Sequence, residues 1–255
     1  MIIFPAMDLR NGRVVRLRQG RAEAETVYSD RPAEVARRWL AEGATWLHVV
    51  DLDRALGSEG APNHAALQAI LDAVDIPIQF GGGLRDRESV QRALALGVRR
   101  VVVGTLAVEQ PEQFAEIVAQ VGAERIVVAA DVKEGRVATR GWQAVSDLTL
   151  VAFGRRMCNL GVQHALVTDI ARDGMLTGID AHALARTAHE TGLQIIASGG
   201  AATRDDLHGL MQYADAGIEG AIIGQALYTG AIRLADALAI VNRAAGAGLT
   251  ERAKE

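Results

Sequence analysis

Asp8 leads the phrase MDLRNGRVV at residues 7–15, and Asp131 leads a near-copy, ADVKEGRVA, at residues 130–138. Two aspartates set identically in two copies of one phrase suggest a two-carboxylate site. Such a pair can divide acid and base work once its surroundings push the two pKa values apart. The same chain carries the means to hold an anion. GGGLRD (81–86) and SGGAATRDD (198–206) pass through Gly82-Gly83 and Gly199-Gly200 toward a helix, where bare backbone N–H groups can converge on a phosphate. Gly104-Thr105 and Gly224-Gln225 close neighbouring runs in the same way. A lone glycine pair says little, because any tight turn with φ > 0 asks for glycine. Two sets imply two phosphate pockets and a long small-molecule substrate phosphorylated at both ends. Arg16 and Arg85 are candidates for phosphate contacts, and Trp142, in TRGWQ, offers an indole that can stack on a planar ring.

These residues need elements that bring them to one place. Eight Val- and Ile-rich runs recur: IIFPAM, WLHVV, IPIQF, RVVVG, RIVVAA, HALVT, QIIAS and GAIIG. They are near-continuously apolar, as parallel strands buried on both faces are, and amphipathic stretches separate them. Asp30 ahead of Pro32 predicts a helix start, with Val35, Trp39 and Leu40 on one face and Gly43 as the stop. Thr203 with Asp206 reads as a capping box ahead of Leu207, Leu210 and Met211. Strict βα alternation over this length predicts an α/β fold, a single (β/α)8 TIM barrel. Pro5, inside the first run, should mark a bulge or a gap in the ladder.

The copying extends beyond the opening phrase. Asp8 and Asp131 lie 123 residues apart, Asp51 and Asp169 118, the two glycine pairs 117, and Gly104 and Gly224 120, each at the C-terminal end of an expected strand. The chain therefore reads as two homologous half-barrels, about 1–123 and 124–245, with a C-terminal tail at 246–255. The first and fifth strands of such a barrel stand opposite each other, so Asp8 and Asp131 should overlook one mouth, the face where barrel enzymes keep their chemistry.

Composition narrows the partners. The 255 residues, 49% of them apolar, can bury one large core, and no Pro/Gly/Ser-rich linker or charge block divides them. A formal charge of −4 with scattered basic residues argues against nucleic acid or a membrane surface and leaves a small molecule; a monomer is expected. No segment approaches the ~18 apolar residues of a membrane span, and the N-terminus lacks a signal-peptide pattern, so the cytoplasm is the expected location. Cys158, the only cysteine, can form no internal disulfide and fits a buried structural thiol. His48 reads as a packed barrel residue, and none of the six histidines is spaced with another ligand type as a metal site would need.

Taken in order, FPAMDLRNGRVVRLRQG, LHVVDLDRA, GGGLRD, VVVGT, TDIARDGMLTG, IASGGA and AIIGQALYTG resemble the histidine-biosynthesis isomerases that act on phosphoribosylformimino-5-aminoimidazole carboxamide ribotide (ProFAR), from residue 2 to about 242. The resemblance implies an Amadori rearrangement of that aminoaldose to the aminoketose PRFAR, with no metal and no cofactor. It implies Asp8 as general base. For the general acid it leaves two candidates, Asp131 and Asp173, the latter without a counterpart in the first half, where Ala55 stands. Thr168 would position the reacting ribose or cap its strand end, and Gly174 joins the substrate-binding set. Arg16, Arg140 and Trp142 also match a broader-specificity relative that isomerises phosphoribosylanthranilate as well. The sister synthase-cyclase barrel shares the repeat, but its first strand ends in Cys-x-Asp with a lysine beyond, where this chain has AMDLRNGRVVRL. A barrel that merely binds a phosphorylated ligand would not need two strand-end aspartates.

Overall fold

Each apolar run becomes a strand whose successive side chains alternate between two cores. In β1 (Ile2–Arg10), Phe4 and Ala6 belong to an inner cluster with Val102, Val127, Leu166, Ile196 and Ile222, while Ile3, Met7 and Leu9 join a larger outer one. The alternation is the two-residue repeat of a strand, and a sheet buried on both faces needs apolar residues in both phases. The computed structural model describes residues 1–18, 20–58 and 61–242; the tail expected at 246–255 lies outside the described residues.

Beyond β1 the strands are β2 (Arg13–Arg18), β3 (Arg21–Ser29), β4 (Leu47–Asp51), β5 (Ile78–Gly81), β6 (Arg100–Val103), β7 (Ile126–Lys133), β8 (Arg136–Thr139), β9 (Ala144–Thr149), β10 (His164–Asp169), β11 (Gln194–Ser198) and β12 (Ile218–Ile223). Strands β1, β4, β5, β6, β7, β10, β11 and β12 pair in parallel in that order, and β12 pairs back to β1, closing a (β/α)8 barrel. The inner cluster fills it. Helices cover the outside; Pro32–Ala41 turns Val35, Ala36 and Trp39 inward and leaves Leu40 only half-buried. Cys158 is half-buried in the helix Leu150–Asn159.

The remaining four strands form two antiparallel extensions, β2 and β3 after β1, and β8 and β9 after β7. The repeated phrase is the hairpin at the root of each. Its turns are Asn11-Gly12 (φ 49° and 74°) and Glu134-Gly135 (φ 52° and 77°), the positive-φ pair of a type I′ connection, for which Asn-Gly is a strong local signal.

Two local expectations are corrected or refined. Asp30 does not cap the first helix: with Pro32 at its first position, residue 31 becomes the N-cap, and Arg31 makes no side-chain cap bond but pairs with Glu34 at 3.0 Å. Pro5 marks a gap, not a bulge. β1 pairs with β12 through Pro5 and with β4 only from Ala6 onward, so the residue without an N–H stands at the handover between neighbours. The capping box forms as read, with Asp206 accepting from the Thr203 amide at 2.8 Å and Thr203 Oγ1 from the Asp206 amide at 3.3 Å.

The strand registers repeat with the offsets of the sequence landmarks. Asp8 opposes Val15 as Asp131 opposes Ala138; Ala6 aligns with His48 as Ala129 with Leu166; Val50 aligns with Gly81 as Thr168 with Ser198. Gln79 aligns with Arg100 as Ile196 does with Gly220. Both hairpins thus leave the same end of the barrel, from opposite staves.

Candidate active site

Asp8 lies near the C-terminal end of β1, still paired with Val50 of β4 on one side and already opposite Val15 of the hairpin on the other. Arg16, one residue past Asp8's cross-strand neighbour Val15, donates from Nη1 to Asp8 Oδ2 at 2.8 Å, and the Arg16 and Asp8 side chains are only 10% and 14% exposed. Burial pushes the Asp8 carboxyl up and the Arg16 guanidinium pulls it back, while nearby Asp173 adds to the rise. Burial alone would weaken the Arg16 proton, but Asp8, Asp173, Tyr228 and Tyr28 together hold it more firmly than usual. The guanidinium lies against Gly224, where any Cβ would stand 2.5 Å from Cζ. A side chain at 224 would have to push the guanidinium aside.

Asp131 occupies the matching place on β7, with different company. Thr168, its register partner on β10, and the Trp142 indole both favour the charged form of its carboxylate. Burial, the largest influence, pushes the carboxyl up; the two neutral donors oppose it and the charge of Asp173 reinforces it. Trp142, at φ 70°, also covers Gly20 beyond the end of β2, where an added Cβ would fall 2.8 Å from the ring. One indole thus joins the two extensions across the mouth. Asp173 follows β10 in a turn whose amide donates to Asp169 O at 3.0 Å; burial raises its carboxyl and Arg16 lowers it.

The glycine turns frame the rim. Gly82, Gly83, Gly199 and Gly200 all have positive φ (103°, 66°, 84° and 92°), and a Cβ on any of them would strike a neighbour: Asp51 O, Arg54 Cβ, Asp169 O and Gly178 O respectively. Backbone packing alone demands these four glycines, whether or not an anion approaches. Gly104 and Gly224, at φ −109° and −106°, start the short helices Thr105–Glu109 and Gln225–Thr229 without a side-chain cap. Every site residue expected from the sequence, Gly174 included, lines one cavity of about 260 Å³ at this end of the barrel.

The family model described as "Histidine biosynthesis protein" matches residues 2–233. The chain belongs to the histidine biosynthesis protein family. Among its relatives are proteins of Moorella thermoacetica, 50% identical over 94% of this chain and 98% of theirs, of Syntrophomonas wolfei, 49% identical over 93% and 97%, and of Chloroflexus aggregans, 48% identical over 96% and 100%. Each is named as an imidazole-4-carboxamide isomerase whose compound bears a 5-phosphoribosyl and a 5-phosphoribosylamino group.

Other groups in this histidine biosynthesis protein have a place that the sequence alone did not give. His48, 5% exposed, points from β4 into the cavity, and its Nδ1 lies 2.9 Å from Gln79 Nε2. Burial and then Arg16 lower it to about 3, so the imidazole stays neutral. It packs in the barrel, as expected, but on the cavity side. The alternation of WLHVV carries that signal, since residues 46, 48 and 50 share one phase. Tyr228 donates to Ala6 O at 2.9 Å beside Arg16, and burial raises its hydroxyl well above the usual range. The exposed Arg85 donates to the carbonyls of Arg54 and Ala55 at 3.1 and 3.3 Å. Arg140 is turned to Glu109 at 2.8 Å, and its amide donates to Thr105 Oγ1 at 2.9 Å.

Proposed function

We propose that this chain isomerises ProFAR to PRFAR by an Amadori rearrangement, with Asp8 as general base and Asp131 as general acid. One observation carries the reading: two carboxylates at equivalent strand positions share a cavity, one bearing a guanidinium and the other only neutral donors. A proton is retained more readily where no cation compensates the charge, and the charge of Asp173 favours it further. Asp131 donates that proton to the ribose ring oxygen as the C1′–O bond breaks and the amine nitrogen forms a Schiff base. Asp8, its negative charge supported by Arg16, removes the C2′ proton, and the bond electrons pass to an enolamine that tautomerises to the ketose. Each proton transfer contributes roughly 10²- to 10⁴-fold. Thr168 keeps Asp131 and the ribose in register.

The two substrate phosphates sit at opposite rims, one by Gly82-Gly83 and Gly104-Thr105, the other by Gly199-Gly200 and Gly224-Gln225. The paired 5-phosphoribosyl groups in the relatives' names support this double grip. The matching strand registers support two homologous halves. Large apolar side chains that are exposed are few among the described residues, Val27 on β3, Val145 on β9 and Leu176 in the segment after β10, which supports a monomer; a biosynthetic role on phosphorylated intermediates supports the cytoplasm. Steady-state turnover of ProFAR by the purified chain is the test. Isomerisation that saturates with substrate is expected, whereas tight binding without turnover would leave a barrel that only holds phosphorylated ligands.

A further inference from the structure

If Asp8 and Arg16 are to act together, the hairpin that carries both must not wander. Beneath its turn lies a buried polar knot. The Gly12 amide donates to Asn63 Oδ1 at 2.8 Å and the Asn11 amide to Asp53 Oδ2 at 2.8 Å. Asn63 Nδ2 lies within donating distance of Leu9 O (3.0 Å), the carbonyl of the residue after Asp8, and of Asp51 Oδ1 (2.7 Å) and Asp53 Oδ2 (2.9 Å). Asn63, Asp51 and Asp53 are 1%, 2% and 8% exposed. Burying two carboxylates around one amide is a poor route to stability, since desolvation offsets much of the bonding. What the knot supplies is position: both amides of the turn and the backbone next to Asp8 are tied to the end of β4 and to the helix Ala61–Leu71.

The other hairpin lacks this anchor. The places of Asp53 and Asn63, 118 and 117 residues on, hold Ala171 and Asp180, and Asp180 caps its own helix through the Ala183 amide at 2.9 Å. Among the described residues no side chain is bonded to the amides of Glu134 or Gly135. A cavity of about 150 Å³, lined by Val132, Asp169 and Asp180, lies there instead.

We propose that Asn63 and Asp53 are positioning residues that clamp the Asn11–Gly12 turn and so hold Arg16 against Asp8 in reacting geometry, an inference that rests on Asp8 being the base. Misplacing a catalytic group by about 1 Å can cost 10²-fold, so the clamp should be visible in rate. Asp8 faces Arg16 from β2, Asp173 from the segment after β10 and Tyr228 from the helix Gln225–Thr229, with neutral His48 beside Arg16. Of these, Arg16 alone rides on the clamped turn.

Amide exchange on the wild type is the first test. The Asn11 and Gly12 amides should exchange at least about tenfold more slowly than those of Glu134 and Gly135; equal exchange would overturn the clamp. Asp53→Ala should then lower kcat by about 10- to 100-fold with KM changed less than about threefold. The acid limb of its kcat/KM profile should move to higher pH, because a retreating guanidinium no longer favours the Asp8 anion. Asp53→Asn keeps an oxygen for both donors and should return kcat to within about threefold of wild type. Reduced thermal stability with wild-type kcat and pH profile in Asp53→Ala would reduce the knot to scaffold and sink the proposal. If Asp53→Ala does not fold, the exchange comparison decides alone. A wild type that never turns over ProFAR would overturn the functional reading, while the exchange result would still judge the clamp.

Discussion

Asp8 and Asp131 occupy one position in two hairpins that share register and turn conformation, and burial pushes both carboxyls up. The difference lies one residue along the second strand. After Val15 comes Arg16, which reaches Asp8; after Ala138 comes Thr139, which turns away to donate to Glu109 at 3.2 Å. Asp131 is left with an indole and a hydroxyl. A repeated scaffold therefore delivers two carboxylates to one cavity, and a departure from the repeat gives them different surroundings.

Replacing the base is the most severe way to test that contrast. Asp8→Asn keeps the shape and a hydrogen-bond acceptor for Arg16 but cannot take a carbon-bound proton, so kcat should fall by at least ~10²-fold while binding of the phosphorylated substrate persists. Steady-state rates and calorimetric binding measure the two separately. A variant retaining more than about a tenth of the wild-type rate would remove Asp8 from the base role.

The next largest effect ranks the acid candidates. Asp131→Asn should lower kcat more than Asp173→Asn and should abolish the basic limb of the pH profile, because on the proposed assignment the proton that limb reports resides on Asp131. Asp173→Asn should instead weaken two influences at once. Without its charge both Asp8 and Asp131 lose a cause of their upward shift, so both limbs should move toward lower pH. If Asp173→Asn is the more damaging variant and erases the limb, the acid is Asp173.

The eight staves were legible in the sequence because parallel strands buried on both faces leave unbroken apolar runs, and the repeat was legible because glycines and aspartates at strand ends keep their spacing. The glycines proved ambiguous for a physical reason. Gly82, Gly83, Gly199 and Gly200 satisfy positive φ and a touching backbone, and phosphate binding would select the same residue. The anchoring of Asn11 and Gly12 was not legible at all. Its donors and acceptors lie 42 and 51 residues apart, and a side-chain bond across that distance leaves no period to read. His48 fell between: its phase in the strand was readable, its contact with the cavity was not.

A milder change sharpens the Asp131 side of the comparison. Trp142→Phe keeps an aromatic ring over Gly20 but removes the indole N–H that stabilises the Asp131 anion. Losing that bond lets the carboxyl rise further, so the basic limb should shift to higher pH. Losing one charge-assisted donor should cost kcat about tenfold or less. An unchanged limb would mean that Thr168 alone sets the proton on Asp131.

The smallest effect is expected at Arg140, which resembles a residue of the enzymes that also accept phosphoribosylanthranilate. Here its guanidinium is held by Glu109 at 2.8 Å and its side chain is 66% exposed, at the wall of the mouth and not over the carboxylates. An exposed ion pair of this kind is screened by solvent and contributes little. Arg140→Ala should therefore change kcat/KM for ProFAR by less than about threefold, and the wild type should give no turnover of the anthranilate compound even with enzyme in excess. Measurable isomerisation of that compound, lost selectively in Arg140→Ala, would show instead that Arg140 leaves Glu109 to meet the anthranilate carboxylate, a charge-assisted partner that the imidazole carboxamide lacks. The second hairpin would then be the half of the mouth that chooses the substrate, and the first the half that holds the base.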